Sequence, residues 1–172
     1  MTKIIFLDVD GPMIPVRAYW LPNQTELVSA FDPVAVSLLN KLIAQSGAKI
    51  VMSASCRSKG LDFVRELLSK NSIDPVHLHD DWQTPRKLTS QRIHEIRWWL
   101  DNHPEITHYV AIDDEYLIPE WVPSSVKCCT YEGLSFLNYL QAEVFLDCHK
   151  DEEHKKDHLK VIEFLTKKHS RS

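Results

Sequence analysis

Three short apolar runs, each ended by a tight group of reactive polar residues, constrain this chain more than any other feature. Lys3–Val9 carries Ile4-Ile5-Phe6-Leu7 into Asp8 and Asp10. Ala48–Met52 runs into Ser53-Ala54-Ser55-Cys56-Arg57, and His108–Ile112 into Asp113-Asp114-Glu115. Runs so short and so rich in β-prone residues read as buried strands. A further strand is expected over Val126–Thr130, and a short extended piece around Val76–Leu78 leads into a polar loop, His79–Leu88.

Helical stripes lie between these runs. Asp32-Pro33 has the form of a helix start, since Asp caps free amides and Pro at the first helical position lacks an amide that needs a partner. Val36, Leu39, Leu42 and Ile43 then recur at helical spacing, and Gly47 is placed to end the helix. Leu61, Val64, Leu67 and Leu68 mark a second helix, Ile93, Ile96, Trp99 and Leu100 a third, and Leu134–Phe145 a fourth. Strands alternating with helices predict an α/β fold: a three-layer, Rossmann-like domain around a central, mostly parallel sheet. The predicted division is a catalytic domain over residues 1–146 and a charged helical tail over 147–172.

In open parallel sheets, ligands bind beyond the carboxyl ends of the strands. Here those ends carry Asp8 with Asp10, Ser53 with Ser55 and Arg57, and Asp113 with Asp114. Crowded carboxylates raise one another's pKa unless a cation or a shared proton compensates. A hard divalent cation does so, and magnesium characteristically takes one or two carboxylates together with phosphate and water.

Asp8-Val9-Asp10-Gly11 after one strand, Ser53 after a second and Asp113-Asp114 after a later one resemble the haloacid dehalogenase superfamily of phosphohydrolases, in order, over residues 3 to about 135. Lys49–Arg57 and Arg92–Leu100 are similar to the small, nearly capless members associated with RNA-repair systems. The resemblance implies a nucleophile at Asp8 and an acid/base at Asp10. It implies Mg2+ held by Asp8, the Asp10 carbonyl and Asp114, with Asp113 in the adjoining network, although either member of the Asp113-Asp114 pair fits the metal. Ser53 would donate to phosphate, with a cation from Arg92 or, alternatively, Lys87. One residue departs from the pattern: Pro12 follows Gly11 where many members have Thr or Val, which bears on the loop beside the acid/base.

Other residues carry two readings. Arg57 suits either a motif carboxylate or the substrate, and Trp82 suits stacking on a base or sugar or, slightly better, packing of its own loop. His77, His79, Asp80 and Asp81 are too loosely spaced for a second metal site. Cys148, His149, His154 and His158 have zinc-ligand chemistry, yet sit in a run of charge that reads as a solvated face.

Composition sets the remaining bounds. The 172 residues, 44% hydrophobic and 26% charged, suit a soluble globular protein, and the net charge of −4 gives no general attraction to nucleic acid or anionic membranes. No window is long and apolar enough to span a membrane, the N-terminus lacks the pattern of a signal peptide, and four cysteines without a Cys-x-x-Cys pair fit a reducing cytoplasm. Gly11–Phe31 is too short for a large cap, so an open cleft is expected, admitting a phosphorylated substrate as bulky as a nucleotide or a nucleic-acid end. The alternatives are a phosphotransferase using the same residues and a non-catalytic module that binds phosphate or a partner. The oligomeric state has no signature in the sequence.

Overall fold

The computed structural model describes residues 2–20, 30–86, 91–117 and 119–169, the side chain of His169 excepted. Its strands are β1 (Lys3–Leu7), β2 (Lys49–Met52), β3 (Leu78–Gln83), β4 (His108–Asp113) and β5 (Ser125–Lys127), and its helices α1 (Pro33–Ser46), α2 (Leu61–Lys70), α3 (Arg92–Asp101), α4 (Phe136–Phe145) and α5 (Glu152–His169). The strands form one wholly parallel sheet in the order β3-β2-β1-β4-β5, with β1 in the centre.

Side chains alternate between the faces of a strand, and here both faces are covered. Ile5, Leu7, Ile50, Met52, Val110 and Ile112 meet Leu39 and Leu42 of α1, Leu68 of α2 and Leu140 of α4. Ile4, Phe6, Val51 and Ala111 meet Ile93, Ile96 and Trp99 of α3. Full burial of each large side chain contributes roughly 1.5–3 kcal/mol, and the two-sided demand explains why the strands read as continuous apolar runs. Trp99 is fully buried, its ring edge-on to Phe6 at 5.3 Å, whereas its neighbour Trp98 points outward. No helix among the described residues is long and apolar enough to cross a membrane.

The segment beginning at His79, expected as a polar loop, is instead the outer strand β3, and Trp82 on it packs partly buried against the larger core. An edge strand has one neighbour and keeps its polar residues half in solvent. Its pairing with β2 also shifts register between Ile50 and Met52, so no clean alternation marks it. At the opposite edge β5 is shorter than Val126–Thr130, because the chain turns back at Cys129, whose bridge to Gly133 closes a loop.

The α1 start forms as its residues dictate. Asp32 Oδ1 accepts the Val34 and Ala35 amides at 2.9 and 3.1 Å, and Gly47, at φ 66°, returns its amide to the Ile43 carbonyl. Arg17 adds a two-point ion pair to the same carboxylate, at 3.0 and 3.1 Å, tying the connection after β1 to α1. Beyond α4, Ile162 and Leu165 of α5 pack against the larger core, and the rings of His149, His154 and His158 gather at 4.6–5.6 Å centroid spacing. Asp32→Ala removes a helix cap and leaves Arg17 unpaired. It is expected to cost about 1–3 kcal/mol, read as a lower urea midpoint at constant m; an unchanged midpoint would contradict the capping role of Asp32.

Candidate active site

Sheet register builds the site. Leu7 of β1 lies level with Met52 of β2 and with Ile112 of β4, so the next residue on each strand falls in one row: Asp8, flanked by Ser53 and Asp113. The Asp8 amide donates to the Ile112 carbonyl at 3.1 Å and the Ser53 amide to the Leu7 carbonyl at 3.0 Å, so strand pairing itself holds the row. All three residues are buried, Asp8 with 3% of its surface exposed.

A hollow of about 380 Å3 opens above this row, lined by Asp8, Asp10, Gly11, Ile14, Val16, Tyr19, Arg92, Asp114, Glu115 and Thr130. Asp10 stands exposed at its edge, on a tight turn in which the Met13 and Ile14 amides both donate to the Val9 carbonyl. Pro12 is buried in that turn. Its carbonyl accepts the Leu134 amide at 2.9 Å, and a Cβ on Gly133 would come within 2.8 Å of the same oxygen. The departure at Pro12 therefore fastens the acid/base turn to the 129–134 loop.

Gly11 has a second constraint. Its φ is +97°, and a Cβ there would lie 2.4 Å from Asp114 Oδ2, so only glycine lets the Asp114 carboxylate come this close. Thr130 orients that carboxylate, donating its hydroxyl to Oδ2 at 2.8 Å. Asp113 faces differently: its Oδ1 accepts the Glu115 amide at 2.8 Å, and its Oδ2 takes the Arg92 guanidinium at 2.7 Å. Arg92, the first residue of α3, reaches Asp8 Oδ2 with the same nitrogen at 2.9 Å.

The electrostatics follow from this crowding. Burial pushes the Asp8 carboxyl up to about 7; Arg92 opposes the rise, and Asp113 adds to it. Burial likewise raises Asp113, again against Arg92. For Arg92 burial disfavours the charge, but Asp8 and Asp113 outweigh it and hold the guanidinium protonated. Burial, with the Asp10 and Asp8 charges behind it, pushes the neighbouring Cys56 thiol up to about 11, so Cys56 is a protonated bystander and not a thiolate nucleophile.

Asp8, Asp113 and Asp114 each offer an oxygen within 4.8 Å of the others, and among the described residues they are the group of three possible ligands whose donor atoms converge. An all-carboxylate set suits a hard divalent cation, and a dication beside Asp8 removes the repulsion that raises its pKa. The residues thus fit such an ion. Ser53, next to Asp8 in the row, keeps a buried hydroxyl without a hydrogen-bond partner among the described residues, although it does not line the hollow.

Of the other residues singled out in the sequence, Arg57 is engaged by protein groups. It pairs with Glu95 of α3 at 2.5 Å and donates to the Ser53, Ala54 and Thr84 carbonyls, which ties the turn after β2 to α3. Trp82 does not line the hollow, and Lys87 lies outside the described residues. Sequence reasoning assigned no role to Tyr19, Thr130 or Glu95, and named Glu115 only as part of the polar group after β4. Thr130 and Glu115 had a signal, as polar residues at the predicted ends of strands. Tyr19 sits in a connection without periodicity, and Glu95 reads as an ordinary helix surface residue.

Residues 4–137 match the family described as the HAD domain in Swiss Army Knife RNA repair proteins. No curated protein and no solved structure matches the chain. The match runs from the second residue of β1 to the start of α4 and so takes in the five strands of the described residues, Lys3 excepted, and every residue that lines the carboxylate hollow. The chain belongs to the family of HAD domains of Swiss Army Knife RNA repair proteins.

Proposed function

We propose that this protein is a Mg2+-dependent phosphatase that works through an aspartyl-phosphate on Asp8 and acts on nucleotide or polynucleotide end phosphates. The observation that carries the reading is the buried row Ser53-Asp8-Asp113, with Arg92 over it and Asp114 beside it. Family membership supports phosphoryl chemistry and points to nucleic-acid ends.

In the proposed reaction an Asp8 carboxylate oxygen attacks phosphorus, and the bond from phosphorus to the leaving oxygen breaks as Asp10 gives that oxygen its proton. Asp10 then takes a proton from water as the water oxygen attacks the same phosphorus. Inorganic phosphate leaves, and Asp8 returns to a carboxylate. Arg92 and the Ser53 hydroxyl hold the non-bridging oxygens, the former by charge and the latter by a hydrogen bond. Mg2+ would be held by Asp8, Asp114 and the Asp10 carbonyl, and when bound it supplies charge neutralisation for the transferring phosphoryl group. Asp114 is preferred to Asp113 as ligand because Asp114 lines the hollow, whereas both Asp113 oxygens are taken by Arg92 and the Glu115 amide. The division into a catalytic unit through residue 146 and an appended tail belongs to the same proposal.

Two measurements test this reading. Phosphate release from an aryl phosphate is expected to require a divalent cation and to fall at least about a thousandfold in Asp8→Asn. Undiminished release by that variant, or by wild type in excess chelator, would sink the assignment.

The second measurement is stability against pH. Without cation, the Asp8 carboxyl holds its proton in the folded state to about pH 7, against 3.8 as its ordinary value. A raised carboxyl contributes stability at low pH, and that contribution is lost as pH rises through about 7. Mg2+ binds the ionised form. It is therefore expected to add about 1–3 kcal/mol of stability at pH 8, read as a rise in melting temperature on the order of 5 °C, and to do little at pH 5. Equal shifts at both pH values would contradict the coupling.

A further inference from the structure

Two more hollows, each also about 380 Å3, adjoin the carboxylate hollow, and all three share Arg92 and Glu115. One of them is lined by Ser55, Arg57, Arg86, Gln91, Arg92, Glu95 and Glu115. Three guanidinium groups thus gather beside a proposed phosphate site, in a chain whose net charge is −4. Arg57 is neutralised by Glu95, and Arg92 by Asp8 and Asp113. Arg86 is exposed and makes no ion pair among the described residues. Its charge and that of Arg92 both bear on Arg57, whose pKa burial lowers first of all; Glu95 opposes that, and the two arginines lower it further. Guanidinium groups drawn together in this way repel one another unless anions join them; Glu95, Asp8 and Asp113 do so for Arg57 and Arg92, and Arg86 is the one placed to take an anion from outside.

We propose that the Ser55–Arg86–Gln91 groove is a second phosphate subsite, in which Arg86 holds the phosphodiester next to the terminal phosphate of a nucleic-acid strand. The proposal rests on the phosphatase reading above and names what that site would select. The two hollows share the Arg92 and Glu115 side chains, so anions held in them would be neighbours, as consecutive phosphates of one strand are. Exposed aromatic faces flank them: Tyr19, 49% exposed, in the carboxylate hollow, and Tyr116, 67% exposed, in the third hollow. Cations that track a backbone, interleaved with aromatic rings, are the usual means of binding single strands. Glu115 at the junction opposes a lone anion but accepts a hydrogen bond from a ribose hydroxyl. A mononucleotide would use the first position only.

The test compares wild type, Arg86→Ala and Arg86→Lys on a short RNA with a 3′-phosphate, the same RNA with a 5′-phosphate, a nucleoside monophosphate and an aryl phosphate. Loss of one charged phosphate contact is expected to lower the ratio of kcat/KM for the better RNA to that for the aryl phosphate about tenfold in Arg86→Ala, through KM. The slope of log kcat/KM against log salt should become shallower by roughly one, and Arg86→Lys should recover most of the loss. A loss of equal size on RNA and aryl phosphate, or an unchanged ratio, would overturn the subsite. Binding of the same RNAs, fluorescently labelled, to Asp8→Asn protein with and without Arg86→Ala separates the two readings. A tenfold affinity loss without turnover of any substrate by wild type would keep the subsite and refute the phosphatase. Turnover with affinity independent of Arg86 would do the reverse.

Discussion

The parallel pairing of β1 with β2 on one side and β4 on the other is the constraint on which the rest of this structure depends. It sets Leu7, Met52 and Ile112 level, and so makes Asp8, Ser53 and Asp113 neighbours at the end of the sheet without help from any loop. Backbone hydrogen bonds of about 3 Å on either side of Asp8 leave that carboxylate little freedom to move away from Asp113. The fold therefore forces two buried like charges together. Arg92 within the chain, a proton on Asp8, or a cation from outside relieves this.

Arg92 reaches the row because α3 begins there, and the position of α3 is itself held at two levels. Ile93, Ile96 and Trp99 dock it on Ile4 and Phe6, and Glu95 takes the Arg57 guanidinium. Arg57 also gathers three carbonyls around the turn after Met52. Breaking a buried pair by removing one partner leaves an uncompensated charge, so Arg57 and Glu95 act as a brace between the loop that carries Ser53 and the helix that carries Arg92. Gly11 and Gly133 do comparable work by absence. Neither position tolerates a Cβ, which lets the Asp114 carboxylate and the 129–134 loop close against the turn that bears Asp10 and Pro12.

Much of this was legible in the sequence for a physical reason. A strand buried on both faces must be apolar throughout, so the abrupt appearance of Asp8, Ser53 or Asp113-Asp114 marks both its end and its functional edge. Asp32-Pro33 and Gly47 announced the ends of α1, because capping chemistry is local. What the sequence lacked was long-range information. It names strand ends but not which strands are neighbours, and nothing local pairs Arg57 with Glu95 across 38 residues. β3 was hidden because an edge strand with a register shift carries neither a continuous apolar run nor clean alternation. Tyr19 lies in a connection whose course is set by the Arg17–Asp32 ion pair and by backbone bonds from Val16 and Arg17 to the 130–131 segment, none of which leaves a periodic trace.

A covalent intermediate at one carboxylate is the central claim, and trapping it is the most direct measurement. Asp10→Asn removes the group that activates water for the second step while leaving Asp8 in its row. That variant, mixed with divalent cation and a phosphorylated substrate, quenched in acid and mapped by peptide mass spectrometry, is expected to carry one phosphoryl group on the peptide containing Asp8. The adduct should be absent when the cation is withheld. A phosphoryl group on any other residue, or phosphate release by this variant with no adduct at any time, would contradict a nucleophilic role for Asp8.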